Sequence, residues 1–281
     1  MKKFKFKKIM STVIISLIAL FVLVIQIYPL LWIFTSSFKT SAEFQTGNPF
    51  QFPSGLDLTN YIRAFQTADL ATYFKNSFIV TLWGCIGVSV LSSAAAFAFA
   101  KMRLKISKPL LSFFLLGIMI PVQVTLIPMF IIYNAIGMLD SYAALALTQI
   151  GFGLPIAIYL FKEFYSYVPN DLIDSAVIDG CGMGRVYFSI VAPMSKNTFI
   201  TVITMNAIFI WNEYVLANTF ITKDAMKTIP IGLYAYQGEY GNTDWGATFS
   251  AISITILPVL ILYFILNKSV IAGMSTGAVK G

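Results

Sequence analysis

The sequence contains no histidine, only two cysteines and little charge: 11% of its 281 residues are charged, whereas 58% are hydrophobic. Without histidine, imidazole-based zinc sites and histidine acid/base chemistry fall away. Cys85 stands in a long apolar run and Cys181 in a later polar stretch, so no disulfide framework is expected. No Gly-x4-Gly-Lys-Ser/Thr phosphate loop occurs anywhere, so the chain is not expected to bind or hydrolyse ATP itself. A soluble domain carries roughly 25% charged residues. Less than half of that is available here to face water.

What remains is apolar sequence in long uncharged stretches. Nothing from Ile9 to Phe38 is charged, a run of 30 residues; Lys75 and Lys101 enclose 25 more, and Lys108 and Asp140 enclose 31. Three further runs follow: Ser141 to Phe161, Asn197 to Thr222 with Glu213 inside it, and Trp245 to Asn267. A helix crosses a hydrocarbon core of about 30 Å with about 20 apolar residues. Open strands and loops leave backbone groups unsatisfied in lipid, so these segments are expected as helices. The expected fold class is an all-α membrane protein with six transmembrane helices, near 10–34, 76–100, 109–136, 141–162, 197–220 and 247–267. No repeat or linker divides the chain, so 1–281 reads as a single transmembrane domain.

Five lysines precede the first run (Lys2, Lys3, Lys5, Lys7 and Lys8), as they do in a signal peptide. The apolar stretch is too long for a signal h-region, and bulky Tyr28, Pro29, Leu31 and Trp32 stand where cleavage needs small residues. A retained first span is expected. With the N-terminus inside, the outer segments hold only Lys39, Arg63, Lys75, Lys223 and Lys227, leaving fourteen of nineteen basic residues inside. That asymmetry places both termini in the cytoplasm. The net charge of +7 is thus a topology signal rather than a nucleic-acid footprint. Loops 35–75 and 221–246 then lie outside, and 163–196 inside.

The inner loop reads Pro169 to Pro193 with Asn170 or Asp171 placed to cap a helix and Leu172, Ile173, Ala176 and Val177 at helical spacing. Gly180 fits the left-handed position that closes a helix. Gly182 and Gly184 prolong the turn, and a second short helix is expected from Arg185 to Pro193. The result is a helix-turn-helix knob between spans four and five. An ordinary amphipathic loop on the lipid surface would use the same residues.

This stretch resembles the EAA motif of ABC importer permeases, read here as Asp174-Ser175-Ala176, Asp179-Gly180, Gly182 and Pro193. Asp174 stands in place of the usual Glu, Ser175 in place of the first Ala and Gly182 in place of a usual Ser. Further segments extend the resemblance to sugar-importer permeases. They are Tyr28-Pro-Leu-Leu-Trp with Ser36-Ser-Phe-Lys39, Asn60-Tyr61, Asn76-Ser77, Pro121 and Pro128, and Trp211-Asn212-Glu213. The tail Gly277-Ala278-Val279-Lys280-Gly281 resembles that of the second permease subunit of maltose-type importers. The resemblance implies that the knob seats in a cytoplasmic ABC ATPase dimer, which binds the ATP and magnesium, and that the tail reaches between the ATPase subunits. It also implies a second, related permease subunit and an extracellular sugar-binding protein. By the same resemblance Tyr234, Tyr236, Gln237, Glu239 and Tyr240 of the last outer loop probe that binding protein; an interfacial aromatic belt is the plain alternative.

Within the spans, Glu213 is an ionisable group and so a candidate functional residue. Gln123, Thr125, Asn206, Trp211 and Asn212 are further candidates for a wet substrate path, though polar residues in membrane helices also bond between helices. The expected function is permease subunit of a carbohydrate ABC importer, for a di- or oligosaccharide. Glycerol-phosphate and polyol permeases share the framework. An ATP-independent transporter or channel would need a charged relay, and an intramembrane enzyme a catalytic dyad; neither is evident.

Overall fold

The computed structural model describes residues 2–48, 50–102, 104–236 and 243–278. The helices are α1 (Lys2–Ser36), α2 (Ser41–Thr46), α3 (Thr59–Thr67), α4 (Leu70–Lys101), α5 (Ser107–Leu116), α6 (Val122–Ala135) and α7 (Tyr142–Tyr167). There follow α8 (Asn170–Ile178), α9 (Met183–Val186), α10 (Ala192–Met194), α11 (Lys196–Trp211), α12 (Val215–Phe220), α13 (Ile229–Gly232) and α14 (Trp245–Ala278).

Four helices are long and apolar enough to cross a membrane alone: Ile9–Ser36 of α1, Leu70–Lys101, Tyr142–Tyr167 and Trp245–Leu266 of α14. The count reaches six only if each of two bent pairs forms one span. The segment expected at 109–136 is one such pair, Ser107–Met119 and Val122–Ala135, bent by 101°. Pro121 sits at the break, where it has no N–H to continue the ladder. Pro128 lies inside α6 without ending it. The other pair bends by 75° between Met183–Met194 and Lys196–Trp211. The run expected at 197–220 also stops at Trp211 and resumes as α12 at Val215.

Two compact units emerge from the chain, one of Met1–Leu70 with Leu233–Ile256 and one of Ala71–Gly232 with Leu257–Gly281. In the first, Asn60 is fully buried and its Nδ2 donates to the carbonyls of Ser37 (2.8 Å) and Lys39 (2.7 Å). Tyr61 OH lies 2.8 Å from Ser37 Oγ. Thr40 and Glu43 form a capping box on α2. The Thr40 backbone N–H, followed by that of Ser54, holds the Glu43 carboxyl down at about 2. In the second unit, buried Asn76 plays the same part: its Nδ2 donates to Ala225 O (3.0 Å) and Lys227 O (2.8 Å), and its Oδ1 accepts from Tyr142 OH (2.7 Å). Ser77 Oγ accepts the Ile229 N–H at 2.9 Å. The two Asn-containing motifs picked out by sequence are therefore loop clamps. Each satisfies carbonyls that no helix supplies with a donor.

The second unit has two apolar cores. One gathers Val88, Ala96, Phe97, Phe161, Tyr165, Ile173, Ala176, Val186, Val191 and Val202, and so joins α4, α7 and α11 to the 170–194 segment. The other gathers Val80, Cys85, Leu145, Ala207, Ile210, Leu216 and Phe220. The small-residue run of α4 explains the first core's tightness: Ser92, Ser93 and Ala96 are fully buried, and only short side chains allow helices to approach there.

Candidate functional site

The 170–194 segment folds as a hairpin. Its first arm, α8, opens after Pro169 without a side-chain cap. The capping position falls on Pro169 rather than on Asn170 or Asp171, which both lie inside the helix, and Asn170 Oδ1 accepts from Lys101 Nζ at 2.9 Å. The arm closes as a Schellman motif, with Cys181 N–H donating to Ala176 O (2.9 Å) and Gly180 N–H to Val177 O (3.0 Å). Gly180 has φ 85, the conformation that geometry requires. Gly182 and Gly184 are different. A Cβ on either would meet no described residue within 4 Å.

The second arm runs unbroken from Met183 to Met194, longer than the Arg185–Pro193 helix expected, and contains a π turn at Tyr187–Val191. Pro193 follows that turn; its ring would collide with a carbonyl four residues back in a regular α-helix. Widening the preceding turn relieves the conflict. The hairpin is also not striped as expected. Ile173 and Ala176 pack inward, but Leu172, Val177 and Ile178 face out, Ile178 at 85% exposure. Asp174, Ser175, Asp179, Gly180, Gly182 and Pro193 lie on the exposed side. Ala176 lies within the core, where its small size permits the inward packing. Ser175 spends its hydroxyl on Asp171 O at 2.7 Å.

A cavity of about 370 Å³ opens between the break of α5 and α6, the middle of α7 and the end of α11. Three polar side chains line it: Gln149, Asn206 and Glu213. Among its described lining residues there is no lysine or arginine. Asn206 is buried and donates to Val202 O at 2.8 Å, which leaves Oδ1 directed at Gly153. A Cβ at Gly153 would stand 2.6 Å from that oxygen and 2.7 Å from Val88 Cγ2, so glycine is what lets α7 approach α11 and α4. The Glu213 carboxylate accepts the N–H groups of Leu216 (2.7 Å) and Ala217 (3.0 Å) and thereby caps α12.

The other path candidates do not join this cavity. Thr125 donates to Val122 O within its own helix, and Gln123 is exposed. Asn212 donates to Ile208 O. Trp211 is buried edge-on against Phe74 at 5.2 Å and faces a separate apolar cavity. Gln149 was missed by sequence reasoning, although an amide between Thr148 and Ile150 in an otherwise apolar run was a visible signal.

Tyr234 is exposed, but Tyr236 is 2% exposed and donates its hydroxyl to Ala64 O at 2.6 Å. The Tyr236 hydroxyl is thus spent inside the chain, on a carbonyl of α3. Gln237, Glu239 and Tyr240 lie outside the described residues, as do Val279, Lys280 and Gly281. Gly277 and Ala278 end α14.

A family model described as binding-protein-dependent transport system inner membrane component matches residues 89–276, which take in the hairpin, the cavity and most of α14. The chain belongs to this family. It is an ABC importer permease subunit, a multi-pass protein of the cytoplasmic membrane. It is 32% identical to the sulfoquinovosyl glycerol transport system permease protein SmoH of Agrobacterium fabrum, covering 92% of this chain and 90% of that one. It is 28% identical to the melibiose/raffinose/stachyose import permease protein MelC of Bacillus subtilis, covering 95% and 96%. Among solved structures it matches a chain of a bacterial ABC transporter involved in the import of the acidic polysaccharide alginate. The TM-score is 0.81 at 20% identity, over 93% of this permease and 96% of that chain. That likeness supports the fold.

Proposed function

We propose that this permease carries a di- or oligosaccharide through a path it shares with a second, related permease, driven by ATP hydrolysis on a separate cytoplasmic ATPase dimer. Both termini and the 170–194 hairpin face the cytoplasm, the bent pair Ser107–Met119 and Val122–Ala135 completes the third span, the interrupted run 197–220 forms the fifth, and 1–281 works as one membrane domain of six spans. The carrying observation is the hairpin corner. Gly182 and Gly184 have open space around them and, unlike Gly180, no positive φ, so nothing among the described residues calls for glycine there. Close approach of an outside surface does. Exposed Asp174 and Asp179 give that surface a carboxylate pair to meet with basic groups, and Ser175 and Pro193 border the contact. The tail Gly277, Ala278, Val279, Lys280 and Gly281 adds a second contact with the ATPase.

The cargo follows from relatives and from cavity chemistry. Relatives are named for melibiose, raffinose and stachyose, for diacetylchitobiose, and for trehalose and maltose. Amides and a carboxylate suit neutral hydroxyls, and no cation among the described lining residues answers a phosphate. That favours an oligosaccharide over glycerol-phosphate. An extracellular binding protein delivers it, with Tyr234, Gln237, Glu239 and Tyr240 as its candidate contacts.

The test is purification of the permease from its native membrane, followed by calorimetry of the co-purified binding protein against melibiose, raffinose, maltotriose, diacetylchitobiose and glycerol 3-phosphate. An ATPase in the complex and binding of a neutral sugar are expected. A complex without an ATPase refutes the coupling, and binding of glycerol 3-phosphate alone refutes the cargo.

A further inference from the structure

We infer that one face of α4, formed by Ser93, Phe97 and Lys101, is the seat through which movement of the 170–194 hairpin enters the membrane bundle; this rests on the coupling reading above. The three residues are spaced four apart and so share a helix face. Lys101 Nζ donates to Val168 O at 2.7 Å and to Asn170 Oδ1 at 2.9 Å, which fastens the start of the first arm. Ser93 Oγ lies 2.9 Å from Tyr187 OH on the second arm and 2.6 Å from Tyr165 OH on α7. Phe97 fills the space between the two anchors, its ring 5.2 Å from that of Tyr187 and 6.4 Å from that of Tyr165.

Both arms are therefore bonded to the same helix, at points about 12 Å apart along its axis. The spacing decides the mechanics. One anchor would let the hairpin pivot freely, whereas two leave only rotation about the line joining them, and the Phe97 ring packed on Tyr187 and Tyr165 opposes that. Apolar contacts slide past one another at little cost, but hydrogen bonds among buried groups hold one geometry, because a buried hydroxyl left without its partner is costly. Ser93 is fully buried and bridges two tyrosines. Tyr187 opens the π turn, a feature that recurs at functional sites. Ser93, Tyr187 and Lys101 are thus positioning residues for the power stroke. None of them belongs to the exposed corner that meets the ATPase.

The test uses the whole complex in lipid vesicles, with a nitroxide on Lys75→Cys near the far end of α4 and a Cys181→Ser background; Cys85 is buried. The probe is Mg-ATP with orthovanadate. The parent should show a change in the nitroxide spectrum on nucleotide trapping. A Lys101→Met/Tyr187→Phe variant should keep its ATPase and trap nucleotide but lose the change, and Lys101→Arg alone should keep it. A full spectral change in the double variant overturns the inference. So does loss of the ATPase from that variant, since the bonds would then only shape the docking corner. A parent complex that binds no ATPase refutes the coupling reading itself, a result distinct from both.

Discussion

Asp140 and Thr222 hold each other across 82 residues of sequence: Asp140 Oδ1 accepts the Thr222 N–H at 2.6 Å, and Oδ2 accepts its hydroxyl at 2.8 Å. The Lys223 N–H adds a third bond at 3.0 Å, and Asp140 returns its own N–H to Phe220 O at 3.0 Å. Asp140 does this from φ 55, a left-handed conformation that aspartate tolerates better than most residues. The turn between α6 and α7 is thereby stapled to the chain leaving α12.

Removing the staple should be measurable. Asp140→Ala loses charged hydrogen bonds and should cost about 2 kcal/mol, read as a lower melting temperature in detergent. Burial works to raise the Asp140 pKa, but the N–H groups of Lys223 and Thr222 and the Thr222 hydroxyl outweigh it and hold it below the usual carboxylate range. A depressed pKa gives stability that is present above the unfolded value, about 3.9, and is lost as pH falls through the folded value. The gap between wild type and Asp140→Ala should therefore be full at neutral pH and shrink below about 4. A gap independent of pH would assign the effect to the backbone instead.

Gly180 offers a sharper separation of shape from stability. At φ 85 a β-branched side chain is strained, by roughly 1–2 kcal/mol or more, although open space surrounds the position. Gly180→Val should insert and assemble in the membrane yet uncouple uptake from ATP hydrolysis, because the second arm must leave the corner at a different angle. Uptake at the parental rate per ATP would contradict the coupling role.

The apolar runs revealed where helices lie because lipid exposure demands length, and uninterrupted length is legible. Direction is not. Pro121 announces a break, but the 101° turn it accompanies depends on how α5 packs against α7, with Gly117 facing Pro155. The same holds at Asn212 to Tyr214, where hydropathy continues across an interruption of the helix. Gly180 was readable because one backbone angle belongs almost to one residue type. Gln149, Tyr236 and Ser93 were not, since a polar side chain in an apolar run reads alike whether it lines a cavity, ties down a loop or bridges two tyrosines. Only its partners distinguish these cases.

Tyr236 illustrates the point and can be tested simply. Its hydroxyl supports Ala64 O inside the first unit, so Tyr236→Phe should lower the melting temperature by an amount equivalent to about 1 kcal/mol. Affinity for the binding protein should not change. Tyr234→Ala, at an exposed position, should show the opposite pattern. Weakened docking by Tyr236→Phe at full stability would restore the contact role.

Glu213 carries two tasks in one carboxylate, and they predict different outcomes for different substitutions. It caps α12 through Leu216 and Ala217, and it lines the polar cavity with Gln149 and Asn206. Glu213→Ala removes both, at a cost of about 1 kcal/mol for the lost cap. Glu213→Gln keeps one carbonyl oxygen for the N–H groups and removes the charge, so stability should fall less. If the carboxylate also meets sugar hydroxyls, the charge-assisted bonds weaken in the Gln variant, and half-maximal uptake should need more sugar-loaded binding protein at unchanged ATPase assembly. Uptake should fall in step with stability across both variants if the cap is its only task. A Gln variant that melts almost as wild type yet transports poorly would assign Glu213 to the sugar path, and equal transport by both would remove it from there.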